Sequence, residues 1–399
     1  MRPAVLSSGP SRPSCPYDVR GSDVQYEDAR YPGPQTPHTS AWTSRCPLGL
    51  ALALAAVAAL LLASGWGSGT EGHAPGDLGG ALAAGGSRVR VFVASETTNQ
   101  VWVFEGAGRT PVATLPVGHH PHNLGASPDG RWVATAARES DEVSLIDVMA
   151  LVEVARVKVP RAPHDVVFSP DSRTLYVSQE AAPVVSVIDV IHRRRLPPLY
   201  VGVPQHDLAV TPDGRELWMT VTGVPMSREP RRVWIVDLPH GKVTARLNTG
   251  RNAHDVIFTP EGERAWVTNS GIPAIPDNHI TVLDVRSRRV AADLVVGRYP
   301  FHAPKQGRDG RYVPPHSPLT WFSDHGLRAI VGVDRRTGRV VAVITAGREP
   351  YHIAPAPNGW LYVAANASDW VAVIDPVARR RVGILRVPRP HGIAVLGLR

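Results

Sequence analysis

Cysteine is nearly missing: the 399 residues hold two, Cys15 and Cys46, and none follows residue 70. A disulfide framework and a thiolate metal site are thereby excluded downstream, where the fold must rely on its own core. There is also no phosphate-cradling glycine loop, no Gly-x-Ser-x-Gly elbow and no His-Glu-x-x-His helix. A basic stripe is lacking too. The formal charge is +8 and almost every cation is an arginine, but these are spread one or two per turn. That is the distribution of solvated loops, so no nucleic-acid partner is expected.

Long hydrophobic runs are absent with one exception. Residues 1–46 are rich in Pro, Ser, Arg and Tyr without a hydrophobic period and read as disordered. Leu48 to Ala63 are then apolar or small, with Arg45 before them and Glu71 and Asp77 after. Residues 47–66 are therefore expected to form one hydrophobic helix, either a transmembrane signal-anchor or a cleaved signal peptide. The leading arginine predicts export of the C-terminal body to the periplasmic or extracellular side. The protein would be membrane-anchored if the segment stays and secreted if it is removed. No lipobox cysteine follows the run. Residues 67–86 are Gly/Ala-rich, a flexible linker, and 87–399 form the folded body.

Glycine (36) and proline (38) are both plentiful and show no collagen period, which suits many short strands joined by turns. From Ser87 three pieces recur. The first is a turn: Ser127-Pro128-Asp129-Gly130, Ser169-Pro170-Asp171-Ser172, Thr211-Pro212-Asp213-Gly214 and Thr259-Pro260-Glu261-Gly262. The second is an aromatic strand: Phe92-Val93, Trp132-Val133, Tyr176-Val177, Trp218-Met219, Trp266-Val267, Tyr312-Val313 and Tyr362-Val363. The third is a strand ending in aspartate, as at Asp147, Asp189, Asp237, Asp284, Asp334 and Asp375, read as a turn former. A Val-rich fourth strand follows. Four strands per period of about 40–50 residues is the pattern of a propeller blade. Seven aromatic strands predict an all-β, seven-bladed β-propeller. The first blade lacks an inner strand and Pro390 to Val395 has no blade of its own, so the C-terminal strand is expected to close the ring.

The pattern Val-Gly-x-x-Pro, Ser-Pro-Asp-Gly, Leu-Tyr-Val, Val-Ile-Asp resembles the YVTN-type seven-bladed propeller repeat and covers nearly all of 87–399. The resemblance implies the fold. It implies much less about function, because related propellers include surface-layer proteins, the haem d domain of nitrite reductases, the copper-cluster domain of nitrous oxide reductase, and lactonases or lyases.

Histidine departs from a plain repeat. His122, His164, His206, His254, His302, His352 and His391 each open an inner strand, at steps of 42, 42, 48, 48, 50 and 39. The first five lie six residues before the position aligned with the turn proline, where Arg308 stands in the fifth. His352 is five before Pro357, and His391 is placed by its context. Inner strands line the channel, so these residues predict a ring. Alternation would let either the histidines or the following Asn123, Asp165, Asp207 and Asp255 face the axis. Imidazoles without thiolates suit copper or zinc. Haem fits less well, since seven equivalent positions exceed what one haem needs. Nitrous oxide reductase resembles the arrangement, yet its cupredoxin domain is lacking here. Blade six carries an irregular connection with His316, aligned with Glu96, Glu180, Thr222, Ser270 and Asn366 as a further ligand or orienting group, and His325. His119 and His120 precede His122, and at least one is a bystander. Asn366-Ala367-Ser368 matches a glycosylation acceptor.

Three functions follow: a metal ion or small ligand held in the channel, for metal handling or redox chemistry; a non-enzymatic scaffold for an envelope partner; or a lactonase- or lyase-like enzyme. Whether the protein is an enzyme stays open. Inheritance of one structural histidine through duplication would explain the ring without any ligand.

Overall fold

The recurring turn is built by its own side chains. Ser127 donates to Asp129 at 2.5 Å, Asp129 accepts the N–H of Arg131 at 3.0 Å, and Gly130 takes φ of 73°. Left-handed backbone at that point favours glycine. The same set recurs at Ser169/Asp171 and Thr211/Asp213. The aspartates that end third strands are also turn formers: Asp147 accepts the N–H of Met149 and of Ala150, both at 2.9 Å.

The computed structural model describes residues 89–106, 108–221, 232–272, 275–304 and 318–398. The readings for 1–46, 47–66 and 67–86, and His316, lie outside them. Among the described residues no helix is long and apolar enough to cross a membrane.

Among the described residues the strands form six four-stranded sheets and one three-stranded sheet, each antiparallel. Blade 1 runs Pro390–Gly397, Val89–Ser95, Gln100–Glu105, Ala113–Pro116 from axis to rim, so the C-terminal strand supplies its inner strand. Val89 pairs with Gly397 and Ser95 with Pro390, and the ring is closed as expected. Blades 2, 3, 4, 5 and 7 have inner strands Pro121–Ala126, Pro163–Phe168, Leu208–Val210, Ala253–Phe258 and Pro350–Pro355. Apolar clusters fill the spaces between blades; one joins Trp218, Val233 and Ile235 to Phe258, Trp266 and Phe322.

Blade 6 departs from the sequence reading. Its aromatic second strand is Leu319–Asp324, with Trp321 and Phe322 fully buried. Tyr312-Val313, expected in that place, falls outside the described residues. Pro300 bridges Asp324, Phe301 donates its N–H to Ser323 at 2.8 Å, and Ser323 donates back to His302 at 2.8 Å. Residues 300–304 thus take the inner position, and the extra residues of this blade come before its second strand rather than after it.

Candidate metal centre at the propeller axis

Five of the described inner strands start with a bulge. Pro121 pairs with Ala137 but Leu124 with Thr135, so three steps on one strand face two on the other. The same shift occurs at Pro163/Val166, Ala253/Val256, Pro350/Ile353 and, in blade 1, Pro390/Ile393. An extra residue interrupts strand alternation. As a result, the choice between two faces does not arise: both residues of the bulge reach the axis, in two stacked layers.

The outer layer is a closed circle of seven rings. Centroid separations are 3.6 Å for His391–His122, 4.4 Å for His122–His164, 3.8 Å for His164–His206 and 4.1 Å for His206–His254. The circle continues through His254–Phe301 at 3.8 Å, Phe301–Tyr351 at 5.4 Å and Tyr351–His391 at 4.4 Å. Phe301 and Tyr351, not His302 and His352, hold the histidine position in blades 6 and 7. Hydrogen bonds between blades confirm the register: Thr220 donates to the carbonyl of His254 at 2.9 Å, and Thr268 to that of Phe301 at 2.7 Å.

The inner layer holds Asn123, Asp165, Asp207, Asp255, His302 and His352. The N–H groups of Asp165, Asp207, Asp255 and His302 each donate to a second-strand hydroxyl at 2.9–3.0 Å, marking them as equivalent. Gly392 completes this layer in blade 1. Five histidines therefore share one register, but they are His122, His164, His206, His254 and His391. The sequence count places His302 in register only because counting forward to Arg308 runs into residues of blade 6 that do not follow the repeat. The missing residue before Pro357 is the matching sign in blade 7.

All seven histidines are buried. Asp207, with no exposed surface, lies at the centre: its carboxylate is 3.3 Å from His164 Nδ1, 3.5 Å from His206 Nδ1 and 3.4 Å from His302 Nδ1. Asp255 lies 3.6 Å from His302 Nδ1. Asn123 donates to Asp165 at 3.0 Å and to Asp207 at 3.3 Å. On the mouth side, Glu96 stands 3.6 Å from His122 Nε2 and 3.9 Å from His391 Nε2, and Glu180 stands 3.6 Å from His206 Nε2 and 4.0 Å from His164 Nε2. Among the described residues three groups each hold potential ligand atoms within 4.8 Å of one another: Glu96/His122/His391, His164/His206/Asp207 and Asp207/His254/His302.

Burial holds His122, His254 and His391 well below the ordinary imidazole range, and neighbouring imidazoles add to this. Burial lowers His164 as well. His302 moves the other way: burial pushes it down, but hydrogen bonds to Asp207 and Asp255 raise it overall. Burial raises Glu96. For Glu180 burial acts upward, and His164, His206 and Arg138 together bring it lower. The lowered values of His122, His164, His254 and His391 favour the neutral imidazole, the form that ligates metals.

The position assigned to His316 belongs to His325, which follows Asp324 as Glu96 follows Ser95. His325 is half-buried and stacks on Phe301 at 4.0 Å, and desolvation lowers it to about 3. His119 is exposed, as a bystander would be. Asn366 is no glycosylation acceptor: it is buried and donates to Glu96 at 3.0 Å and to Pro390 at 3.1 Å. Glu96 and Glu180 touch the ring imidazoles as the strand-end alignment suggested. Phe301 and Tyr351 were missed, although each directly precedes its histidine. Beyond the two layers the channel holds a cavity of about 40 Å³ lined by residues that include Leu124, Val166, Leu208 and Val256.

A Cβ on Gly392 would come within 2.4 Å of Leu124 N and 2.6 Å of His122 O, both backbone. Gly392→Ala is expected to push blades 1 and 2 apart and cost about 1–3 kcal/mol. Equilibrium denaturation checks this, and unchanged stability would contradict the close approach.

A family model described as "Lactonase, 7-bladed beta-propeller" matches residues 85–219. No curated protein matches the chain in sequence. Hydrazine synthase of Kuenenia stuttgartiensis is similar in structure, with a TM-score of 0.63 and 21% identity over 78% of this chain and 99% of that one. Dihydro-heme d1 dehydrogenase NirN, solved in complex with DHE, gives 0.57 and 17% over 76% and 74%. A protein of unknown function from Desulfotomaculum acetoxidans DSM 771 gives 0.60 and 15% over 77% and 98%. At these identities the structures establish the fold alone. Repeat pattern, seven closed blades and these likenesses together establish the chain as a seven-bladed β-propeller.

Proposed function

We propose that the protein is an exported propeller that binds a divalent transition-metal ion, zinc or copper, at its axis, with Asp207 as the shared carboxylate among His164, His206 and His302. The observation that carries this reading is the placing of a fully buried carboxylate 3.3–3.5 Å from three Nδ1 atoms of three blades. Two ligands of a tetrahedral zinc ion at about 2.0–2.1 Å lie about 3.3 Å apart, so the set needs little movement to close on an ion. His122 Nδ1, His254 Nδ1 and His391 Nδ1 are buried without a hydrogen-bond partner, a costly state that a bound cation would relieve. Nitrogen and oxygen donors without sulfur suit zinc or copper(II). Adjacent rings 3.6–5.4 Å apart around the circle leave no macrocycle-sized space between them, so a small ion fits this position better than a haem.

Metal analysis of the full chain after metal-replete expression should find about one equivalent or more. Chelation should lower the thermal midpoint, and readdition of zinc at a hundredfold excess over Kd should restore about 2.7 kcal/mol. Less than about a tenth of an equivalent, with no binding on titration, would remove the proposal. The lactonase-named match over 85–219 supports a second reading, a lactone hydrolase using the same site. Turnover of a lactone panel that His302→Ala abolishes without unfolding would favour it; no turnover by metal-loaded protein would set it aside.

A further inference from the structure

In each blade the inner strand starts at the histidine mouth, so the turns after the third strands all lie on the opposite face. The arginines that are scattered along the sequence are collected there. Residues 193–195, 286–289, 335–336 and 379–381 bring eleven arginines to that face in blades 3, 5, 6 and 7, against the four turn aspartates Asp189, Asp284, Asp334 and Asp375. The other turns on that face nearly balance, with Arg131, Arg173, Arg215 and Arg264 beside Asp129, Asp171, Asp213, Glu261 and Glu263, and Arg288 is paired with Glu216.

Apolar side chains protrude among them. Met149, Ile191 and Val377 are 72%, 55% and 91% exposed, and each stands two residues after the strand-ending aspartate. That aspartate accepts the N–H of the protruding residue itself, at 2.9 Å for Met149, 3.1 Å for Ile191 and 2.9 Å for Val377. The turn is therefore pinned with its tip outward. Val89, where the propeller begins, is on this face as well, because it pairs with the far end of the inner strand at Gly397. The chain upstream of it contains the hydrophobic run Leu48 to Ala63.

From this we infer that the face opposite the histidine mouth is a docking surface for an anionic lipid bilayer. Arginines attract acidic headgroups at long range, and apolar tips entering the headgroup region add a contribution that depends on area rather than charge. A surface that only repels aggregation needs no protruding Met, Ile and Val, and a polyanion-binding face gains nothing from them. The point at which the chain enters the propeller favours a membrane over a soluble acidic partner.

Hydrogen exchange of the full chain, mixed with vesicles of phosphatidylcholine alone or with roughly a third phosphatidylglycerol, tests this. With phosphatidylglycerol, turns 147–152, 189–195 and 375–381 should exchange at least about fivefold more slowly. The mouth-side turn 138–141 should be unchanged. High salt should reverse the protection. A variant carrying Arg379→Glu, Arg380→Glu and Arg381→Glu should lose it while its core strands keep theirs. Equal protection by neutral vesicles, no protection by either, or protection by a DNA oligonucleotide but not by vesicles would each overturn the inference.

Discussion

Replacing Asp207 with alanine should weaken zinc binding by at least about a hundredfold, the upper part of the loss seen when a group that holds a metal site together is removed. It should also cost the metal-free protein about 1–3 kcal/mol, because a buried hydrogen-bonding group loses one of its partners. That group is His302, which would keep Asp255 as its remaining carboxylate partner. Asp207 also contacts His164 and His206, so one substitution disturbs ligands from three blades. Calorimetric zinc titration and urea denaturation in chelator read the two effects separately. An Asp207→Ala protein with zinc affinity within about threefold of the parent would show that the carboxylate is not a ligand. Asp207→Asn should fold better than the alanine variant, since the amide can still bond to neighbouring donors, yet should bind zinc almost as weakly.

Acid should unfold the metal-free propeller unusually early. His122, His164, His254, His325 and His391 all have lowered folded pKa values, chiefly from burial. Above about pH 6.5 they are neutral in both the folded and unfolded chain and contribute nothing to pH dependence. Below it the unfolded chain takes up protons that the folded one refuses, so stability falls with pH toward the folded values. For His325, with a folded value of about 3, the loss at pH 5 is about 2 kcal/mol. His302 acts in the opposite sense: its raised value gives stability that is complete below about pH 6.5 and is lost as pH rises through its folded value. One residue of that kind does not offset five of the other. Urea midpoints in chelator at pH 7 and pH 5 should differ strongly. His325→Phe, which keeps a ring against Phe301, should reduce the slope. A flat profile between those pH values would contradict the lowered values of these five histidines.

Periodicity made much of this molecule legible. The turn motifs, the aromatic strands and the unpaired last strand announced seven blades and their closure, because each is local chemistry repeated at a fixed spacing. The histidine set was visible for the same reason. The layer each histidine occupies was not, since a bulge is a relation between two strands and counting along one strand cannot detect it. In blade 6 the count was anchored on Arg308, within residues that do not follow the repeat, and His302 was placed one position off. Phe301 and Tyr351 could have been found by asking which residue follows the strand's first proline, Pro300 or Pro350. Likewise, scattered arginines become a patch only when topology sorts the turns onto two faces.

Closure by the last strand has a consequence for how the protein is made. Val89 pairs with Gly397, so the strand that completes blade 1 is synthesised about 300 residues after its partner. At about 5–20 residues per second that interval is roughly 15–60 s, during which the edge of Val89–Ser95 has no partner and is open to pairing with other chains. Contacts this distant in sequence also slow folding, because ring closure must precede the interactions that reward it. A chain of this design gains from being held unfolded until synthesis is complete.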